Sequence, residues 1–134
     1  MREIKFRAWS SGRKEMAKVE SIHFKGNAVY LISKYLRLVA NLDETELMQF
    51  TGLQDCNGVD IYEGDIIELW YEICSGEYRE YSDKGMVCFE NGLFKIKCID
   101  EQQEYDFDFF HHVDDSTKEV IGNIYENPEL LEVE

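Results

Sequence analysis

The sequence predicts a mostly β fold in two subdomains, finished by one short helical turn. Three observations carry this expectation. Many short runs alternate apolar and polar residues with the period of two that a half-buried strand requires. Turn dipeptides such as Gly26-Asn27 and Asn91-Gly92 separate those runs. A single proline in 134 residues leaves nearly every backbone N–H available for a ladder.

The elements follow in order. In the opening MREIKFRAW, Ile4, Phe6 and Ala8 point one way, while Lys5, Arg7 and Trp9 point the other. Ser10 to Arg13 reads as a turn, Met16 to Phe24 as a second strand, and Ala28 to Ser33 as a third. Tyr35 to Ala40 fits either a strand or a helical turn. Ile66 to Ile73 has one fully apolar face and one mixed face that carries Trp70. Trp70 either meets a partner or packs beneath a neighbouring loop. Ser75 to Lys84 shows no periodicity and reads as a long charged loop.

Gly85 to Glu90 and Leu93 to Ile99 flank Asn91-Gly92, the pair best suited to a type I′ turn. A two-residue loop fixes register, so Glu90 should oppose Leu93, Phe89 Phe94, and Val87 Ile96. Val87, Phe89, Phe94, Ile96 and Cys98 then share an apolar core face. Tyr105 to Val113 alternates again. Asn127-Pro128-Glu129 has the residues of a helical first turn, which would seat Leu130 and Leu131.

Charge divides the chain. Residues 1–40 hold 9 Lys+Arg against 3 Asp+Glu, a balance of +6. Residues 41–134 hold 5 against 25, a balance of −20. Solubility accounts for such a body, and so does a partner that sees one pole. No apolar run nears the roughly 20 residues of a membrane span. The charged opening lacks a secretory h-region, so a cytoplasmic protein is expected.

Cys56, Cys74, Cys88 and Cys98 lack CxxC spacing. Buried free thiols are therefore expected, with no metal site and no cofactor.

The segment LMQFTGLQDCNGVDIYEGDII, Leu47 to Ile67, is the most informative. Its Thr51, Gly52, Leu53, Asp55, Asn57, Gly58, Ile61, Tyr62, Glu63, Gly64, Asp65 and Ile66 resemble a motif of the YopX family of phage and prophage proteins. MREIKFRAW and VIGNIYENPELL (Val120 to Leu131) resemble the family's two ends. The resemblance implies an SH3-like barrel in the C-terminal part and brings no established activity. The division expected is a basic β subdomain at 1–55 and an acidic SH3-like barrel at 56–134.

Catalytic signatures are weak. Glu63 and Asp65 form an acidic pair, but Gly-Asp before an apolar strand more commonly makes a turn, with Asp65 accepting turn amides. His111 and His112 would face opposite ways on a strand, and His23 is isolated. No nucleophile motif or P-loop is present. The expectation is a non-enzymatic binding or assembly module, working with a host or phage protein and itself a homo-oligomer. Lys5, Arg7, Trp9 and Trp70 are the candidate contact residues.

One alternative is an acidic decoy imitating nucleic acid, motivated by residues 100–115. Another is a weak nucleic-acid binder that uses the N-terminal cations, with Trp9 for stacking. The acidic remainder repels phosphate and argues against it.

Overall fold

In the computed structural model, residues 2–34, 36–74, 78–99, 104–108 and 118–131 are described. The chain divides into two compact units, Met1–Phe50 and Thr51–Glu134. Strands β1 (Phe6–Ser10), β2 (Glu15–His23), β3 (Ala28–Ile32) and β4 (Arg37–Asn41) follow one another as antiparallel hairpins. A 3-10 turn at Leu42–Glu44 leads into β5 (Glu46–Gln54), which pairs with β1 and carries the chain from the first unit into the second. With β6 (Asp60–Tyr62), the sheet order is β4-β3-β2-β1-β5-β6.

The first unit's core follows directly from alternation. Ala8 opposes Ala17 on one side and Leu47 on the other. Leu31 lies between Val19 and Leu38, and Val29 opposes Ala40. These residues share one face, on which Ala8, Ala17, Val29 and Leu31 are buried together. A bulge between Val19 and Ser21 keeps Ile22 on that face.

The second sheet is antiparallel, in the order β10-β9-β8-β7-β11. Its strands are β7 (Asp65–Cys74), β8 (Tyr78–Glu90), β9 (Leu93–Ile99), β10 (Glu104–Asp108) and β11 (Lys118–Asn123). Ile61, Ile67, Leu69, Val87, Phe94 and Ile96 form its core, with Leu53 and Val120 packed against them. Pro128–Leu131 forms a 3-10 turn at the expected place.

Four expectations need correction. Among the described residues no sheet closes into an SH3-like barrel: both are open, and β10 and β11 end the second sheet as separate edges. Closure would need those edges to pair, and β6 belongs to the first sheet's order instead. The charged stretch read as a loop is largely strand. β8 starts at Tyr78 and pairs with β7 residue by residue from Cys74 onward, so β7 supplies the backbone partners that make a polar strand stable. Phe89 is 51% exposed rather than core. It lies two residues from the hairpin tip, where its ring meets Phe94 edge-on at 5.0 Å. Cys56 is an exposed thiol rather than a buried one, because it stands in a turn.

The Asn91-Gly92 hairpin has the expected register: Glu90↔Leu93, Phe89↔Phe94, Val87↔Ile96. Its turn residues have φ of 52° and 79°, as a type I′ turn demands.

Candidate functional site

Two regions hold most of the candidate residues: the turns of residues 51–65, and the outer face of the first sheet. The turns form first from local chemistry. Thr51 Oγ1 donates to the Ile61 carbonyl at 2.8 Å and accepts the Leu53 N–H at 3.2 Å. Gly52, Gly58 and Gly64 have φ of 88°, 77° and 83°, which few other residues adopt without strain. Asp55 then organises the tightest turn. Its Oδ1 accepts the amides of Asn57 and Val59, and its Oδ2 accepts that of Val120, each at 2.9 Å.

Asp55 is 4% exposed. Burial alone would push its carboxyl upward. The amides of Val120, Val59 and Asn57, with the charge of Lys118, outweigh burial and hold it below the 3.8 of an ordinary aspartate. The Cys56 N–H donates to the Lys118 carbonyl at 3.0 Å, and Asn57 Nδ2 reaches Glu119 Oε1 at 3.4 Å. The turn therefore grips β11 by main chain and side chain together.

The second turn does the same further along. Buried Asp65 accepts the Tyr62 N–H through Oδ2 at 2.8 Å. The Gly64 N–H donates to the Val87 carbonyl at 2.8 Å, and the Gly64 carbonyl accepts the Ile124 N–H at 2.9 Å. Beyond it, Asn123 Oδ1 accepts the amides of Tyr125 and Glu126, and Asn127 Oδ1 accepts the Asn123 N–H. The central segment and the closing segment, far apart in sequence, are thus one hydrogen-bonded clasp. Lys118, Gly122, Asn123 and Asn127 belong to it; of these only Asn127 carried a local signal, as the residue before Pro128, and that signal did not point to this clasp.

Of the contact residues read from sequence, Lys5, Arg7 and Trp9 lie in the first unit and Trp70 in the second. Lys5 Nζ lies 3.4 Å from Glu3 and 4.4 Å from the Phe50 ring centroid. Arg7 stands in a cross-strand row with Lys18, Ile32 and Arg37, all on the face opposite the core. Trp9 is half-buried and lines a cleft of about 540 Å³ with Ser10, Gly12, Val39, Asn41 and Thr45. Trp70 is 38% exposed on the second sheet. Tyr30, Ile32 and Val39 are also exposed on the outer face, Val39 at 63%. His23 sits 4.8 Å from the Tyr30 ring and 3.1 Å from Ser21 Oγ.

His111, His112 and most of the acidic stretch 100–115 lie outside the described residues. Among the described residues, no group of three or more His, Cys, Asp or Glu side chains could hold a metal ion. No helix among them is long and apolar enough to cross a membrane.

A family model described as "YopX protein" matches residues 5–132. The SPbeta prophage-derived uncharacterized protein YopX of Bacillus subtilis (strain 168) is 35% identical over 75 residues. That match covers 56% of this chain and 52% of the relative, so the chain spans about half the length of the curated relative it matches. The crystal structure of protein EF1440 from Enterococcus faecalis is similar with a TM-score of 0.64 at 27% identity, covering 98% of this chain and 100% of that one.

Proposed function

The chain belongs to the YopX family, and from that premise we propose that it is a phage- or prophage-derived accessory protein, a non-enzymatic binding or assembly module of the bacterial cytoplasm. One observation carries the reading. Of the acidic pair Glu63 and Asp65, Asp65 is buried and accepts the Tyr62 amide, and Asp55 of the same motif accepts three more backbone amides. A carboxylate that is buried and committed to turn amides is poorly placed to exchange protons with a substrate.

The working parts are the basic N-terminal subdomain and the acidic C-terminal one, and the partner is a host or phage protein. Self-association through the N-terminal part is included in this reading. The test is capture of partners from the host by tagged full-length chain, alongside assays with hydrolase, nuclease and transferase substrates. A retained partner and no turnover are expected. A reproducible activity abolished by Glu63→Ala or Asp65→Ala in folded protein would overturn the reading.

A second reading, contact with a nucleic acid, is favoured only by the cross-strand row of Arg7, Lys18 and Arg37. It requires affinity that falls steeply with salt. Absence of binding to DNA or RNA at about 50 mM salt removes it.

A further inference from the structure

The chain holds two Asn-Gly pairs, Asn57-Gly58 and Asn91-Gly92. Such pairs carry a chemistry of their own. The glycine nitrogen can attack the carbonyl carbon of the asparagine side chain, because glycine has no Cβ to bar the approach. Both pairs here are exposed, and both glycines have positive φ, 77° at Gly58 and 79° at Gly92. Their hydrogen bonding sets them apart.

The first pair is held at every group the reaction uses. The Asn57 N–H donates to Asp55 Oδ1 at 2.9 Å, and the Gly58 N–H, on the attacking nitrogen, donates to the Asp55 carbonyl at 3.1 Å. Asn57 Nδ2, the leaving nitrogen, donates to Glu119 Oε1 at 3.4 Å. The Val59 N–H closes the turn on Asp55 Oδ1 at 2.9 Å. Bringing the Gly58 nitrogen onto the Asn57 side chain would break several of these bonds at once.

The second pair has no such hold. Asn91 and Gly92 are the two-residue loop between β8 and β9, and the nearest ladder pair is Glu90↔Leu93. Among the described residues, neither the Asn91 side chain nor the Gly92 N–H makes a hydrogen bond. Opening the tip disturbs at most that one ladder pair.

We propose that Asn91 is a site of spontaneous deamidation and that the clasp around Asp55 protects Asn57. The Gly92 nitrogen gives its proton to a solvent base and bonds to Asn91 Cγ. The Cγ–Nδ2 bond breaks, and ammonia leaves with a proton taken from water. Water then opens the resulting five-membered imide. Attack at the side-chain carbonyl leaves aspartate; attack at the main-chain carbonyl leaves isoaspartate, with one more methylene in the main chain. In sum one amide and one water are consumed, and one carboxylate and one ammonium ion are formed.

Either product sets a carboxylate beside Glu90, which pairs with Lys97 at 2.7 Å. Isoaspartate also lengthens the loop whose two residues fix the pairs Phe89↔Phe94 and Val87↔Ile96. The site is a slow, one-way change in the β8–β9 hairpin, separate from the assembly reading above.

The test incubates the full chain at mildly alkaline pH, digests it under acidic conditions and maps the peptides by mass spectrometry, with fragmentation that separates aspartate from isoaspartate. Asn91 should convert at least about tenfold faster than Asn57, the factor that one or two net hydrogen bonds give. In the urea-unfolded chain the two rates should come together. In Asp55→Asn, with its fold checked by circular dichroism, Asn57 should quicken several-fold while Asn91 keeps its rate. Equal rates in the folded chain, or an Asn91 that stays intact while the unfolded chain converts, overturn the site at the tip. A difference that persists in urea assigns it to local sequence and overturns protection by the fold. An Asn57 unmoved in folded Asp55→Asn overturns the clasp as the protector; if that variant does not fold, the urea comparison decides.

Discussion

Replacing Asp55 by Asn tests the clasp at its centre. The change is nearly isosteric, so it separates charge and acceptor geometry from packing. Asp55 accepts three amides at 2.9 Å, two on Oδ1 and one on Oδ2. An asparagine keeps one oxygen. Left on the Asn57 and Val59 amides, that oxygen retains two bonds, now uncharged and weaker by about 0.5–1.5 kcal/mol each. The new NH₂ group then faces the Val120 N–H, donor against donor. That leaves an amide at the head of β11 unsatisfied, at about 1–3 kcal/mol. Buried Lys118 also loses the compensation of the carboxylate.

The expected total is about 3–5 kcal/mol, against roughly 7–20 kcal/mol for a folded chain of this size. Urea unfolding followed by fluorescence should show the midpoint falling by about 1–5 M for a slope of 1–3 kcal/mol per M. Pairing the change with Lys118→Met should recover part of the loss, because it also removes the charge that the Asp55 carboxylate offsets. Asp55→Asn within about 0.5 kcal/mol of the unmodified protein, the scatter of neutral surface changes, would refute the clasp as a source of stability.

Further expectations follow from the same geometry. The carboxyl of Asp55 is held below its ordinary value in the folded state, so its contribution is complete above about pH 4 and is lost as pH falls through the folded value. Acid unfolding curves should therefore be flatter in that window for Asp55→Asn than for the unmodified chain. Gly122→Ala would put a Cβ 2.6 Å from Asn127 Oδ1, forcing that side chain off the Asn123 N–H. A loss of about 1–2 kcal/mol in a thermal or urea melt is expected. At Gly58, φ is 77° and nothing lies within 4 Å of an added Cβ, so Gly58→Ala isolates the backbone cost, about 1–2 kcal/mol. Gly58→Asn should lose less, since Asn tolerates the left-handed region, and equal losses would point to another cause.

What the sequence made legible is what local chemistry decides. Asn91-Gly92 dictates a two-residue turn, and the turn dictates register, so Phe89↔Phe94 and Val87↔Ile96 could be read directly. The structural role of Asp65 was legible for the same reason, because it acts on an amide three residues away. What depends on distant pairing was hidden. Tyr78 to Lys84 has no apolar periodicity of its own, and its strand exists because β7 lies beside it. Barrel closure is likewise a property of edges far apart in sequence, and no window of residues reports whether they meet. Lys118 carried no sign of burial, since the Asp55 carboxyl that feels its charge stands 63 positions earlier.

The clasp between Asp55 and Val120 has a consequence for synthesis. The first four strands are neighbours in sequence, each hairpin closing on the one just made. Their partners leave the ribosome within a few residues of one another, at about 5–20 residues per second. The second unit keeps this schedule only through β7, β8, β9 and β10, and β11 breaks it. β7 emerges early but waits for β11 on one side, and the Asp55 carboxylate meets its third amide only 65 residues after itself. Joining segments that far apart in sequence is the slow kind of step. Until then Ile66 and Ile67 have only part of their cover, so the N-terminal unit is set to fold during translation and the second unit to complete only once residue 120 is free.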